Sequence, residues 1–351
     1  MDTNRLDAYR LLGRSGLRVS PLCLGTMTFG TEWGWGSNEQ VSKTVLDRYS
    51  ERGGNFVDTA NFYTGGTSES WLGKFLLGRR DRYVLATKYT LCMRPGDPNA
   101  GGNHRKSLLQ SLDASLRRLQ TDYIDLYWVH AWEFTTPVDE VMRALDDAVR
   151  AGKVLYVGVS NPPAWIAAQA NTLADLRGWA PFVGMQIQYS LTEREVEREL
   201  IPMCNAFNIG VTPWSPLGGG FLTGKYSRLD KGSAEKIDQS LRVESNRGRL
   251  DERTGKIVAE VENVSKEIGC SMAQVALAWL LSKPGVSSVI LGARTTDQLE
   301  DNLGCLDVAL DEDQMKRLDS VSAITLGYPH DFVASENVQN YIFGGVEVER
   351  R

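Results

Sequence analysis

Four ionisable side chains stand at, or just past, the ends of early apolar runs. They are Asp58 in VDTANFY, Tyr63 five residues later, Lys88 in VLATKY and His130 in YWVH. An Asp or Lys that closes an apolar strand is costly to bury alone, so the two are expected to meet. A lysine beside a tyrosine hydroxyl favours the phenolate, which predicts a Tyr63 pKa below its usual value of about 10. The aspartate then balances the lysine and fixes its position. A histidine at the same hydroxyl can orient a carbonyl or help a proton move. Taken singly, each residue has an ordinary role: packing for Tyr63 or His130, an ion pair for Asp58 and Lys88, a turn cap for Asp58. Four such groups at the same end of successive strands point instead to acid–base chemistry.

Short β-branched or apolar runs alternate with helical patterns along most of the chain. The strands are expected at 22–25, 55–58, 84–88, 124–130, 154–160, 182–188, 210–214 and 289–291. Helical segments between them include 107–119, 138–150, 195–207 and 298–303. Within 107–119, Leu108, Leu112, Ala114, Leu116 and Leu119 recur at roughly helical spacing, with Arg117 and Arg118 facing outward. Eight strand-then-helix units predict an α/β fold closed into a (β/α)8 TIM barrel. An open doubly wound sheet would carry a G-x-G-x-x-G turn for a dinucleotide, and none follows any of the eight strands.

Residues 9–21 alternate and turn at Ser15-Gly16, so they read as an N-terminal β-hairpin able to plug the barrel's bottom. Three long loops, 89–104, 216–254 and the tail after Val321, are expected at the C-terminal face, where barrel active sites lie. No boundary or repeat divides the chain, so residues 1–351 read as one barrel domain.

The composition, 42% hydrophobic and 24% charged over 351 residues, is that of a soluble globular protein. A net charge of -5 with no basic stripe argues against nucleic acid. No apolar run approaches the roughly 20 residues that cross a bilayer. A polar, charged start over residues 1–14 is no signal peptide, so a cytoplasmic location is expected. The five cysteines are scattered without a C-x-x-C pair, and His104, His130 and His330 are too dispersed for a metal centre. Metal-free chemistry is expected.

From about Tyr9 to Asn302 the sequence resembles the aldo-keto reductase family. D-x-A-x-x-Y appears as Asp58-Thr59-Ala60-Asn61-Phe62-Tyr63, the family's catalytic lysine matches Lys88, and Y-x-x-H appears as Tyr127-Trp128-Val129-His130. The resemblance implies hydride exchange between NADP(H) and a small-molecule carbonyl or alcohol. It casts Tyr63 as general acid, Asp58 and Lys88 as its tuning pair, and His130 as the group that orients the carbonyl. Asp58 also counts among the positions near the nicotinamide, with Thr26 and Met27. Ser160, Asn161 and Gln186 would hold the carboxamide, which both donates and accepts. Trp214 would stack on the nicotinamide, and Ser215, Pro216, Leu217, Gly218 and Lys225 would serve the pyrophosphate.

Residues 219–225 (GGFLTGK) also fit half of a phosphate-binding loop, but Tyr226 stands where a hydroxyl would ligate Mg²⁺. A nucleotide-triphosphatase is therefore not expected. The segment 291–302 (LGARTTDQLEDN) follows the eighth strand and opens a helix, a natural phosphate site. Gly292, Arg294 and Gln298 are placed there for an adenosine 2′-phosphate, and Asp301 and Asn302 for the adenine. An arginine in this position favours NADP(H) over NAD(H).

Potassium-channel β subunits, which sense nicotinamide redox state, are similar to the same family. Their histidine position is typically asparagine and here is His130, and the chain before the hairpin is short, so an enzyme is expected. Trp33 and Trp132 lie just beyond strand ends and would line the substrate mouth, with Tyr63 and His130 at its floor. The helical surfaces carry no spare apolar stripe, so a monomer or weak homo-oligomer without a membrane partner is expected.

Overall fold

The computed structural model describes residues 5–224 and 251–346. Two short strands, β1 (Arg10–Leu11) and β2 (Arg18–Val19), pair antiparallel, and eight parallel strands follow. These are β3 (Leu22–Gly25), β4 (Phe56–Asp58), β5 (Val84–Tyr89), β6 (Ile124–Val129), β7 (Val154–Ser160), β8 (Phe182–Gln188), β9 (Gly210–Trp214) and β10 (Val289–Gly292). Their order in the sheet is β10-β3-β4-β5-β6-β7-β8-β9. The seam between β9 and β10 is drawn together by Val211, whose N–H donates to Gly285 O and whose carbonyl accepts from Ser287 N, both at 2.9 Å. Eight strands closing in sequence order, with helices between them, make the expected (β/α)8 barrel.

Strand alternation divides the apolar side chains into two clusters. Inside the barrel lie Cys23, Phe56, Val84, Ala86, Leu126, Trp128, Val183 and Ile290; Leu22, Leu24, Val57, Leu85, Tyr127 and Val129 face the helices. Leu12 and Val19 of the hairpin join the inner cluster, so the hairpin does plug one end. Gly13 lets it seat: a Cβ there would come within 2.4 Å of Val183 O. Trp128 fills the barrel's middle because its neighbours are glycines. A Cβ on Gly158 would approach its ring to 2.4 Å, and one on Gly184 to 2.9 Å.

The same parity delivers the chemistry. Asp58 follows Phe56 on the inward face of β4, and Lys88 follows Val84 and Ala86 on β5. His130 follows Leu126 and Trp128 one residue past β6.

The helices are α1 (Glu39–Glu51), α2 (Thr67–Leu76), α3 (Arg105–Leu119), α4 (Val138–Arg150), α5 (Ala164–Arg177), α6 (Leu200–Phe207), α7 (Glu252–Ile268), α8 (Met272–Leu281), α9 (Thr296–Leu303) and α10 (Glu312–Ser322). Two short ones, His330–Ala334 and Glu336–Phe343, end the described chain. The helix expected over 195–207 is split into a 3-10 turn, Glu195–Glu197, and α6. Pro202 has no N–H for a bond one turn back, so it suits only the first turn of a helix. α3 starts two residues earlier than its apolar pattern because the His104 ring accepts from Ser107 N at 3.2 Å. α9 starts at Thr296, with the Thr295 hydroxyl accepting from Gln298 N.

The tail after Val321 is tied beside the segment that follows β8. Arg198 donates to the carbonyls of Thr325 and Leu326, and His330 meets Glu199 at 2.8 Å. No described helix is long and apolar enough to cross a membrane.

Candidate active site

The structure brings Asp58, Tyr63 and Lys88 into one hydrogen-bonded group. Lys88, with no exposed surface, donates through Nζ to Asp58 Oδ2, to Thr59 O at 2.8 Å and to Tyr63 Oη at 3.1 Å. Its three N–H bonds are thus all used, which is what a buried ammonium requires. Tyr63 opens a 3-10 turn, Tyr63–Gly66, in which Thr64 and Gly65 take left-handed conformations. The Thr64 hydroxyl pins that turn to Phe29 O at 2.8 Å. The His130 ring stands edge-on to Tyr63, with centroids 6.0 Å apart.

Electrostatics separate the roles of these groups. Burial favours a neutral amine at Lys88, but Asp58 and Tyr63 outweigh it and raise its pKa, so the charge is retained. Burial and the Lys88 charge together lower His130 to about 3, so its imidazole is neutral. For Tyr63 the expected lowering is not found. Burial pushes the phenol upward, the Lys88 attraction pulls it down, Asp58 pushes it up again, and the net direction is upward. A lysine already balanced by a carboxylate cannot overcome the loss of phenolate solvation. Tyr63 is therefore a neutral phenol beside a fixed positive charge, the state from which a proton can be donated.

Trp33 forms a wall over Tyr63. Its ring lies edge-on at 6.4 Å and also meets Trp35 at 5.6 Å and Phe62 at 5.9 Å. Trp132 joins no such wall. It is only 6% exposed and packs in the cluster between sheet and helices, because its large apolar ring gains more from the core.

The expected nicotinamide positions meet one another. Gln186, buried near the end of β8, donates to Asp58 Oδ1 at 3.0 Å. Asn161, at φ 54°, donates to Ser160 Oγ at 2.9 Å and to His130 O at 3.2 Å, and it accepts from Trp214 Nε1 at 3.0 Å. Thr26 is fully buried and braces the strand below, donating to Asp58 O at 3.1 Å, whereas Met27 is exposed. Past Trp214 the chain turns at Ser215 (φ 54°) and then runs left-handed through Gly218, Gly219 and Gly220. Pro216 is buried and Leu217 packs against the outer cluster. Lys225 lies outside the described residues.

Gly292 ends β10 on an open surface, where an added Cβ would find nothing nearer than Thr28 Cγ2 at 3.8 Å. Among the described residues, Arg294 has no carboxylate partner; its backbone N–H donates to Gln298 Oε1 at 2.9 Å. Of the two adenine candidates, one is hydrogen-bonded within the chain and the other is buried. Asp301 accepts from Ser271 Oγ and Gln274 Nε2, both at 3.2 Å, and Asn302 is 5% exposed.

Four further residues stand at the site without a role that the motif reading gives them. The Thr59 carbonyl takes the third Lys88 bond. Asn61 is wholly buried, and among the described residues neither end of its amide has a partner. Thr90 and Asn103 reach His130 through the loop after β5. A buried Asn within D-x-A-x-x-Y is the one visible cue among them.

Residues 21–323 match the model of the Aldo/keto reductase family. The chain is 40% identical to norsolorinic acid reductase stcV of Emericella nidulans over 347 residues, covering 96% of this chain and 87% of that one. It is 38% identical to norsolorinic acid reductase A of Aspergillus parasiticus, with 96% and 86% covered. It is also 37% identical, with 93% and 89% covered, to an aryl-alcohol dehydrogenase of Phanerodontia chrysosporium whose name specifies NADP(+). A family match over most of the barrel, and relatives this similar over nearly their whole length, carry one conclusion: the chain belongs to the aldo/keto reductase family and is an oxidoreductase.

Proposed function

We propose that this enzyme interconverts aromatic carbonyls and the corresponding alcohols with NADP(H), using Tyr63 as proton donor in reduction and acceptor in oxidation. The observation that carries this reading is the buried Lys88 ammonium bridging Asp58 and the Tyr63 hydroxyl beneath the Trp33 ring. The name of one relative, an aryl-alcohol dehydrogenase that uses NADP(+), agrees with an aromatic substrate.

The residues fit NADP(H). Ser160, Asn161 and Gln186 offer amide and hydroxyl groups side by side at two strand ends, as a carboxamide requires, and Trp214 supplies a flat partly exposed wall. Ser215 to Gly218 would receive the pyrophosphate, and Gly292, Arg294 and Gln298 the 2′-phosphate. When bound, the cofactor supplies or takes the hydride.

The chain's own residues do the rest. Tyr63 Oη holds the proton that reaches the carbonyl oxygen, and Lys88 stabilises the phenolate left behind. Asp58 keeps Lys88 in place. His130, neutral, donates to the carbonyl oxygen without competing as an acid. Trp33 covers the aromatic body of the substrate and excludes water.

NADPH consumption with a reactive aromatic aldehyde tests this, comparing wild type with Tyr63→Phe. The variant should lose roughly 10²-fold or more in turnover, as for removal of a general acid, while still binding NADPH. Near-normal turnover in the variant would take Tyr63 out of the proton path.

A further inference from the structure

Thr90 follows directly on β5, two residues after Lys88, and holds φ at 99°. A β-branched residue avoids this region, and one found there marks a conformation imposed by its surroundings. The surroundings are specific. Gly102 N donates to the Thr90 carbonyl at 2.8 Å, and the Thr90 hydroxyl donates to Asn103 Oδ1 at 2.8 Å. The same hydroxyl oxygen accepts from His130 N at 3.3 Å, beside the bond that His130 N makes to Tyr89 O at 3.2 Å. Asn103 is anchored in turn by its own N–H to Glu133 Oε1 at 3.2 Å. Glu133 sits three residues past His130, and its carboxylate also accepts from the Thr135 N–H and the Thr135 and Thr136 hydroxyls. The chain therefore loops from β5 out to Asn103 and back onto the segment that carries His130.

His130 needs this support. Among the described residues its buried ring Nδ1 meets no hydrogen-bond partner, and none of their side chains orients the imidazole from behind. The backbone must do so, and it is held on both flanks: by Thr90 from β5 and by Asn161 Nδ2, which donates to His130 O at 3.2 Å, from β7. Asn161 belongs to the nicotinamide positions already described, whereas the β5 flank is unassigned.

We propose that Thr90 and Asn103 are positioning residues that hold His130 against the substrate carbonyl, so that the loop after β5 sets the geometry of the reaction. This rests on the reading of His130 as the group that orients the carbonyl. The strained backbone at Thr90 places the hydroxyl where it can serve Asn103 and His130 together.

The test is a double-mutant cycle with NADPH and an aromatic aldehyde, using Thr90→Gly, Thr90→Ser and Asn103→Ala in wild-type and His130→Ala backgrounds. Thr90→Gly removes the hydroxyl but suits φ 99°, so relief of the backbone offsets the lost hydrogen bonds and the melting temperature should change little. Its kcat should nonetheless fall about tenfold or more, the scale of a small misplacement, with NADPH affinity unchanged. Thr90→Ser should restore turnover, and Asn103→Ala should mimic the loss. In His130→Ala, Thr90→Gly should cost less than about twofold more, because residues acting through one another are not additive. A full tenfold cost in that background, with His130→Ala itself impaired, overturns the clamp alone. Unimpaired turnover in His130→Ala overturns the reading of His130 and the clamp with it.

Discussion

Gln186 on β8 reaches across the barrel mouth and donates to Asp58 Oδ1 at 3.0 Å, while the other oxygen of that carboxylate takes Lys88. One aspartate thus joins the group proposed to transfer the proton to a position proposed to hold the nicotinamide carboxamide. With Asp58 2% exposed and Lys88 fully buried, neither oxygen of the carboxylate can turn to water instead.

Cutting either bond should have a distinct signature. Gln186→Leu leaves Asp58 Oδ1 unpaired and should cost about 1–3 kcal/mol of stability, together with NADPH affinity. Asp58→Asn strands the Lys88 charge, which should cost about 3–5 kcal/mol and drop turnover far more than it changes KM for the aldehyde. Thermal melts and cofactor titration of both variants check this. Equal affinity for NADPH in Gln186→Leu and wild type would separate the two groups.

The pH behaviour follows from the two shifted side chains. Tyr63 is pushed upward from its ordinary value of 10.0, so the donor phenol persists through neutral pH. Reduction should therefore stay level across neutral pH and fall only as the pH rises through the pKa of the folded Tyr63. Oxidation, which needs the phenolate, should rise over the same range. His130 is lowered from 6.5 to about 3, so between those values the unfolded chain holds a proton that the folded one does not. Stability from this residue is complete above the upper value and is lost as pH falls, by up to about 1.4 kcal/mol per pH unit. Unfolding free energies measured against pH should lose that part of the slope in His130→Asn.

Much of this was legible in advance because it depends on period and position. Eight apolar runs separated by helical patterns specify the barrel, and an inward-facing Asp58, Lys88 and His130 follow from strand parity. What escaped depends on balances that spacing does not encode. The direction of the Tyr63 shift turns on burial against one neutralised lysine. Trp132 follows His130 closely in sequence yet packs outward into the core. Thr90 and Asn103 act through a backbone conformation that no motif announces, and Pro202 shortened a helix that the apolar pattern alone extends.

Packing inside the barrel sets a further expectation. Trp128 occupies space that Gly158 and Gly184 leave open, and it lies two residues before His130 on the same inward face. Gly158→Ala would bring a methyl within 2.4 Å of the ring and should destabilise by about 1–3 kcal/mol, the usual cost of overpacking. Adding Trp128→Phe should recover part of the loss, as shown by chemical denaturation of the single and double variants. An uncoupled pair would mean that the ring moves aside freely.

Cofactor choice is proposed to rest on Arg294. Its guanidinium has no carboxylate partner among the described residues, it follows the exposed end of β10, and it stands just before the Thr295 cap of α9. A helix N-terminus and an unspent positive charge both favour the added phosphate of NADPH. Arg294→Ala should therefore weaken NADPH by about tenfold or more, the scale of one charge-assisted contact, and leave NADH within about twofold. Arg294→Lys should recover only part, since an ammonium keeps the charge without the two-pronged fit. Fluorescence titration with both cofactors reads the difference directly. An equal loss for NADPH and NADH would show that Arg294 braces the loop rather than reads the phosphate.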